Sequence, residues 1–280
     1  MLRDATVLPP WLGKALLWND EKDGRPDTPA AIAAALATLE IRLGIGAGLR
    51  DNAKAFNFTT RFADAQNVNF TLFTNACDRS IEIHVLGELS GDPYEVGSHR
   101  LDGEGDVALD IGGHVGAAAL QLASRATGTG SGVISWEPTS QNYFFAQWNA
   151  WVNGFHQDKL VVLHAGVSDV EKDACILYSP VDTTGAGSWR TRYPHQRFAY
   201  GRCDLKKPSL VRMMGFEAGL RDLGILGPGS SFAPRKGRRI RFVKLVRGKA
   251  RPSFTTLVPK LTLTRLYCLT RIAKAANIPS

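Results

Sequence analysis

The spacing of apolar residues along the chain predicts several strands. Between residues 65 and 90, the stretches NVNFTLF and SIEIHVL alternate polar and apolar residues, which is typical of strands with one buried face. We expect these two strands to form an antiparallel pair at the edge of a sheet. Further along the chain, DVALD and GVISWE are short and almost wholly apolar, as in strands buried on both faces.

Segments with helical spacing separate these apolar strands. VGAAALQLASRA follows DVALD, and SQNYFFAQWNAWVNG follows GVISWE, with Ser140 as a candidate N-cap. KLVVLHAGVSD comes next and predicts a third strand. This order predicts an α/β fold from about residue 106, with a mostly parallel sheet and helices on both faces.

We expect the α/β domain to span residues 65–245, after an N-terminal extension that comprises residues 1–64. Within the extension, PAAIAAALATLEIRLG predicts one Ala-rich helix that is capped by Thr28 and ended by Gly44, with Pro29 in its first position. The Ala-rich face of this helix is suited to docking on the main domain, and binding of a partner is the alternative.

Residues 246–280 form a basic tail that we expect to be poorly integrated into the core. Pro252 and Pro259 exclude a long helix between residue 246 and Pro259. The tail belongs to a wider charge asymmetry, because no acid follows Asp222 whereas 13 of the 34 Lys and Arg residues do. Such asymmetry indicates either contact with an anionic partner or packing of the basic region against the acidic body.

Composition excludes several classes of protein. The sequence contains no apolar run of about 18 residues, so no membrane-spanning helix is expected. The first residues lack the basic start and apolar stretch of a secretory signal, and we expect a cytoplasmic protein. The four cysteines are widely spaced and form no CxxC pair, which argues against a disulfide framework or a zinc site.

A glycine-rich turn between DVALD and the next helix carries the first candidate site. Asp110 ends the strand, and Gly112, Gly113 and Gly116 follow it in the pattern D-x-G-G-x-x-G. These glycines permit a sharp turn, close approach of the backbone to a ligand and tight helix packing. An acid in place of the first glycine of G-x-G-x-x-G disfavours a diphosphate and favours a cationic amino group.

The end of the second apolar strand carries a further candidate. Glu137 closes GVISWE, where a carboxylate can accept hydrogen bonds from both ribose hydroxyls of an adenosine, and Pro138 is placed to pack on the adenine. One acid for an amino group and one for a ribose together predict S-adenosylmethionine as cofactor. The alternative is an unrelated α/β protein that has two acids at strand ends.

These segments resemble the FkbM family of S-adenosylmethionine-dependent methyltransferases. VALDIGGHVG is similar to its D-V-G-A-N-x-G turn, WEPTSQN to its F-E-P-x-x-x-N stretch, and HAGVSD to its N-A-A-V-S-D stretch. The resemblance spans roughly residues 66–200 and includes Glu95 in an acidic stretch before the first strand. It implies a Rossmann-like class I methyltransferase fold and O-methylation of a sugar, polyketide or other hydroxylated small molecule.

The resemblance also implies roles for individual residues. Asp110 would hold the methionine amino group, the backbone at Gly112–Gly116 would approach the cofactor, and Glu137 would bind the ribose. The loop that ends at Ser168 would border the adenine. Gly113-His114 replaces the family's Ala-Asn, so His114 either contacts the cofactor or fills space.

The resemblance breaks down near residue 245. RRIRFVKL, which contains Lys244, looks like the start of the family strand K-I-D-V-E-G-A-E, whose acids lie beside the transferred methyl group. Val246 stands in place of the aspartate, and no acid follows. Three explanations remain open: the C-terminus has diverged with loss of activity, the reading frame has shifted near Leu245, or another residue is the base. The candidate bases are His164, His195 and Asp169.

The missing acids lead us to expect weak or no cofactor binding and little methyl transfer, because the hydroxyl must be aligned and must lose its proton. Two other functions remain as alternatives. One is an inactive or truncated methyltransferase relative that still binds the cofactor. The other is a nucleic-acid-binding protein that uses the basic region to contact phosphates. The small number of aromatic residues in that region argues against recognition of single strands. The oligomeric state does not follow from the sequence.

Overall fold

The computed structural model describes residues 26, 28–45, 49–51, 53–62, 66–75, 96, 99–155, 159–168, 172–175, 210–226 and 237–245. These residues form a mixed α/β structure. In chain order its elements are α1 (Pro29–Leu43), β1 (Ala53–Arg61), β2 (Asn67–Asn75), β3 (Asp106–Ile111), α2 (Ala117–Ser124), β4 (Gly132–Trp136), α3 (Ser140–Val152), β5 (Leu160–Leu163), β6 (Gly166–Ser168), β7 (Lys172–Cys175), β8 (Leu210–Gly215), α4 (Phe216–Asp222) and β9 (Arg239–Leu245).

A parallel sheet of four strands lies at the centre, in the order β5-β4-β3-β9. The prediction of a parallel sheet from about residue 106 is therefore confirmed. The chain moves from β3 to β4 to β5 in one direction, whereas β9 lies on the opposite side of β3. The strand order thus reverses at β3, and such a reversal opens a crevice at the carboxyl edge of the sheet.

The two faces of this sheet contribute to two separate apolar cores. Ala108 of β3 belongs to the core that contains Leu120 of α2 and Phe144 of α3. Its neighbour Leu109 belongs to the second core, together with Leu220 of α4. Successive residues of a strand point to opposite faces, so an apolar run such as DVALD can bury both sides at once.

β2 forms an antiparallel pair with β1, from Ala53↔Asn75 to Arg61↔Asn67. SIEIHVL, the partner predicted for β2, lies outside the described residues. The other edge of β2 is covered at Thr71 and Phe73, whose backbone groups bond to Asn153, the residue that follows α3, and to Asn149 of α3. The strand that pairs with β2 is therefore β1, which lies within the predicted N-terminal extension.

The N-terminal helix α1 has the predicted caps. The hydroxyl of Thr28 accepts a hydrogen bond from the N–H of Ala31, Pro29 begins the helix, and Gly44 follows it with a φ of 61°. Leu36 and Leu39 are buried in the same core as α2 and α3, so the helix docks on the body of the molecule. The predicted boundary at residue 64 itself stays a prediction.

Two details differ from the sequence prediction. KLVVLHAGVSD is not one strand, because Ala165 turns back onto the carbonyl of Leu163 and the chain then enters a second sheet of order β6-β8-β7. The cap of α3 is Thr139 rather than Ser140, and its hydroxyl is bound to Glu137 instead of the helix N–H groups.

RRIRFVKL forms β9 as predicted, parallel to β3. The basic tail, which begins at Val246, lies outside the described residues. Among the helices that the structure describes, none has both the length and the apolar character needed to cross a membrane.

Candidate functional site

The carboxyl ends of β3 and β4 bring the two sequence motifs together. The turn after β3 places Gly112 at a φ of 82° and Gly116 at 89°, both in the left-handed region that glycine tolerates best. His114, between them, also has a positive φ of 53°. Its N–H donates to Glu137 Oε2 at 2.8 Å, so the turn and the acid after β4 are in direct contact.

Gly113 is required for space rather than for its backbone angle. A Cβ at this position would lie 2.1 Å from Ser135 Oγ and 3.3 Å from Asp110 Oδ2. The FkbM family, which this turn resembles, has alanine at this position. In this chain, Ser135 on the neighbouring strand β4 accounts for the glycine.

The N–H groups of the turn are bonded within the protein. Those of Gly112 and Gly113 both donate to the carbonyl of Trp136, at 3.0 and 2.8 Å, and that of Gly116 donates to Gly113. With the His114 N–H bound to Glu137, the turn directs none of these four groups toward an anion. This geometry agrees with the sequence argument against a diphosphate ligand.

Asp110 is fully buried beneath the turn and forms an ion pair with Lys244 of β9. Its Oδ1 lies 2.7 Å from Lys244 Nζ, and its Oδ2 accepts a hydrogen bond from Ser135 Oγ at 3.0 Å. Lys244 also donates to the carbonyl oxygen of Gly112 at 3.0 Å. The charge of Asp110 is thus compensated inside the protein, and its contact with a methionine amino group stays a prediction.

The two carboxylate oxygens of Glu137 accept different numbers of hydrogen bonds. Oε1 accepts from the N–H and hydroxyl of Thr139, at 2.9 and 2.5 Å, and from Asn142 at 3.4 Å. Within the described chain, Oε2 accepts only the His114 N–H. Burial raises the pKa of Glu137 above 4.5, although the hydrogen bonds from Thr139, His114 and Asn142 oppose this shift.

His164, one of the three candidate bases, lies just after β5 and faces the start of α3. Its ring stacks on Tyr143 with the centroids 4.8 Å apart, and its Nε2 lies 3.3 Å from Ser140 Oγ. Burial lowers the pKa of His164 to about 4, against a smaller opposing effect of its hydrogen bond with the backbone of Pro138. The imidazole is therefore neutral at pH 7, and so low a pKa makes it a weak base.

The remaining predicted residues are only partly described. Pro138 is buried next to Glu137. The backbone of Ser168 ends β6 and pairs with Gly215 in the second sheet, not in the parallel one. His195, Asp169 and Glu95 lie outside the described residues.

Sequence reasoning gave no role to Ser135 or Asn142. Ser135 lies within the apolar strand GVISWE, where its contact with Asp110 of β3 has no local sequence signal. Asn142 was marked only by its place in the EPxxxN stretch; its Oδ1 is buried and has no hydrogen-bond partner among the residues that the structure describes. No three metal-ligating side chains come together in the part of the chain that the structure describes.

An open depression of about 640 Å³ lies elsewhere on the molecule, on the β1–β2 hairpin. Residues from both strands and from the end of α3 line it, including Asn57, Asn69 and Asn153. None of its lining residues comes from the carboxyl ends of β3 and β4, so it is separate from the candidate site.

Comparison of the chain with protein-family models and with curated proteins gives no match. The relation to the FkbM family therefore stays a prediction from the residues of its three similar stretches.

Proposed function

We propose that the chain is an S-adenosylmethionine-dependent O-methyltransferase of FkbM type with a Rossmann-like class I domain and impaired activity. Its acceptor would be a hydroxyl of a small molecule or sugar. The observation that carries the proposal is the contact between the glycine turn and Glu137 at the point where the strand order reverses. Open α/β sheets bind their ligands at this place.

Glu137 is the group best suited to the ribose. Its Oε2 accepts one hydrogen bond within the described chain, whereas a carboxylate oxygen has two lone pairs. A ribose hydroxyl would donate to the remaining one, and Pro138 beside it would contact the adenine. Because four N–H groups of the turn are already bonded within the protein, this site suits an adenosine without a diphosphate better than a dinucleotide.

Impaired transfer is expected because the acids that the FkbM family carries after the strand that β9 resembles are missing. Transfer of a methyl group to a hydroxyl needs the oxygen in line with the methyl carbon and usually a base for its proton. The family acids after β9 are absent from the sequence, and His164 has a pKa of about 4. We therefore expect weak cofactor binding and little turnover.

Titration calorimetry with S-adenosylmethionine tests the cofactor proposal. Asp110→Ala and Glu137→Ala should each weaken binding by about 1–3 kcal/mol, the scale of a lost hydrogen bond to a charged group. Glu104→Ala is the matched control, because Glu104 is an exposed acid at the opposite end of β3. Unchanged affinity in both site variants, with their near-ultraviolet circular dichroism intact, would place the cofactor site elsewhere.

Turnover assays separate the alternatives. Robust methylation of any hydroxylated acceptor would refute impaired activity, and binding without turnover would identify an inactive relative. Salt-dependent retention on DNA would favour the nucleic-acid alternative. Against it, Arg239 and Arg241 at the start of the basic region both face the buried Asp106, at 2.8 and 3.7 Å. This part of the region lies against an acid of the body.

A further inference from the structure

Within β9, Lys244 is the residue whose side chain contacts both Asp110 and the glycine turn. Its Nζ lies 2.7 Å from Asp110 Oδ1 and 3.0 Å from the carbonyl oxygen of Gly112, and the side chains of both Lys244 and Asp110 are buried. It therefore ties the strand end to the turn at two points. Gly112, whose carbonyl it holds, has a positive φ and lies within the turn.

The glycine turn also holds Glu137. Two residues after Gly112, the N–H of His114 donates to Glu137 Oε2. A displacement of the turn would therefore change the orientation of the carboxylate that we assign to the ribose. The contacts run without a gap from Lys244 through Gly112 and His114 to Glu137.

We propose that Lys244 is a positioning residue that fixes the turn and, through it, Glu137, so that Asp110 acts on the cofactor through the turn and not by direct contact with the methionine amino group. This inference rests on the proposed function. A cation that already neutralises a buried acid removes the attraction which a second cation would feel. Asp110 then serves to hold Lys244 in place.

The competing role, in which Asp110 binds the amino group directly, predicts an effect of opposite sign. Lys244→Met would free the acid and strengthen the binding of S-adenosylhomocysteine, which carries the amino group. A positioning role predicts that the same variant weakens binding by about tenfold or more, the scale of a lost hydrogen bond to a charged group. It predicts an equal loss for 5′-methylthioadenosine, which has the ribose but no amino group.

The experiment is titration of the full chain with both nucleosides. Arg239→Met is the matched control, because Arg239 also joins β9 to an acid of β3, Asp106, but at the other end of the strands. We expect it to leave both affinities unchanged. Lys244→Met with Asp110→Asn removes both charges of the pair and covers the case in which the single variant does not fold; it should show the same loss for both ligands.

Three results would overturn the inference: tighter binding of S-adenosylhomocysteine, a loss confined to that ligand, or wild-type affinity for both. If the wild type binds neither nucleoside, the proposed function fails and hydrogen exchange decides the inference separately. The Lys244 variant should then exchange faster in the peptide 107–120 than the wild type, with the hairpin 53–75 unchanged. Equal exchange in peptide 107–120 would refute the positioning role.

Discussion

Gly113→Ala is the substitution whose effect follows most directly from the structure. The added Cβ would lie 2.1 Å from Ser135 Oγ, a distance at which the serine has to move. If Ser135 rotates away, its hydrogen bond to Asp110 is lost; if it stays, the contact is overpacked. Gly113 does not have a positive φ, so backbone strain does not contribute.

Three effects set the change in the free energy of unfolding that Gly113→Ala causes. Loss of a hydrogen bond to a charged group costs about 1.5–3 kcal/mol, and overpacking costs about 1–3 kcal/mol. Replacing glycine by alanine also restricts the unfolded chain, which returns about 0.4–1 kcal/mol. We expect Gly113→Ala to lower the free energy of unfolding by about 1–2 kcal/mol, the difference between these costs and that gain.

A double-mutant cycle with Ser135→Ala tests the cause. Ser135→Ala alone should cost about 2 kcal/mol, because Asp110 loses a donor. With the hydroxyl gone, the Cβ of residue 135 lies 3.5 Å from the new methyl group, which is an ordinary contact. The double variant should then be no less stable than Ser135→Ala, as measured by urea unfolding with tryptophan fluorescence. Additive costs, or an unchanged stability of Gly113→Ala, would refute the steric explanation.

Two further predictions concern stability. The folded-state pKa of His164 is about 4 against 6.5 in the unfolded chain, so the wild type should lose stability as the pH falls from 6.5 towards 4. His164→Gln should lack this part of the pH dependence in urea unfolding at several pH values, and an identical profile would contradict it. Asn149→Ala should cost about 3 kcal/mol, because it leaves backbone groups of Phe73 and Val115 unpaired. Asn153→Ala, at a less buried position of the same strand edge, should cost about half as much in the same assay; a reversed order would refute this account of the edge.

The local sequence was sufficient to predict the elements that a contiguous run of residues identifies. DVALD and GVISWE are buried on both faces because helices cover both sides of the sheet, and the two apolar cores show this arrangement. The caps of α1 were predictable because Thr28, Pro29 and Gly44 act within one turn of the helix. The groups that form these caps are close in sequence, and the strands were recognisable because their apolar residues are contiguous.

Contacts between distant segments were not predictable in the same way. β1 alternates poorly and carries exposed polar residues, so its pairing with β2 had no strong signal in the apolar pattern. The split of KLVVLHAGVSD depends on β8, which draws β6 into another sheet. Asp110 and Glu137 were identified by their positions at strand ends, but their present partners, Lys244 and His114, depend on the folded geometry.

The pairing of Lys244 with Asp110 depends on an irregularity in β9. The register runs from Asp106↔Arg239 and Val107↔Ile240 to Ala108↔Phe242, so Arg241 has no partner opposite it. Without this shift, Val243 would lie opposite Asp110, and the side chains beyond it would exchange faces. The cores confirm the shift, because Ile240 and Val243 pack on the same face although they are three positions apart, whereas Phe242 packs on the other. One extra residue in a strand 134 residues away thus brings the cation beneath the glycine turn, which is why the sequence motif alone could not assign the role of its acid.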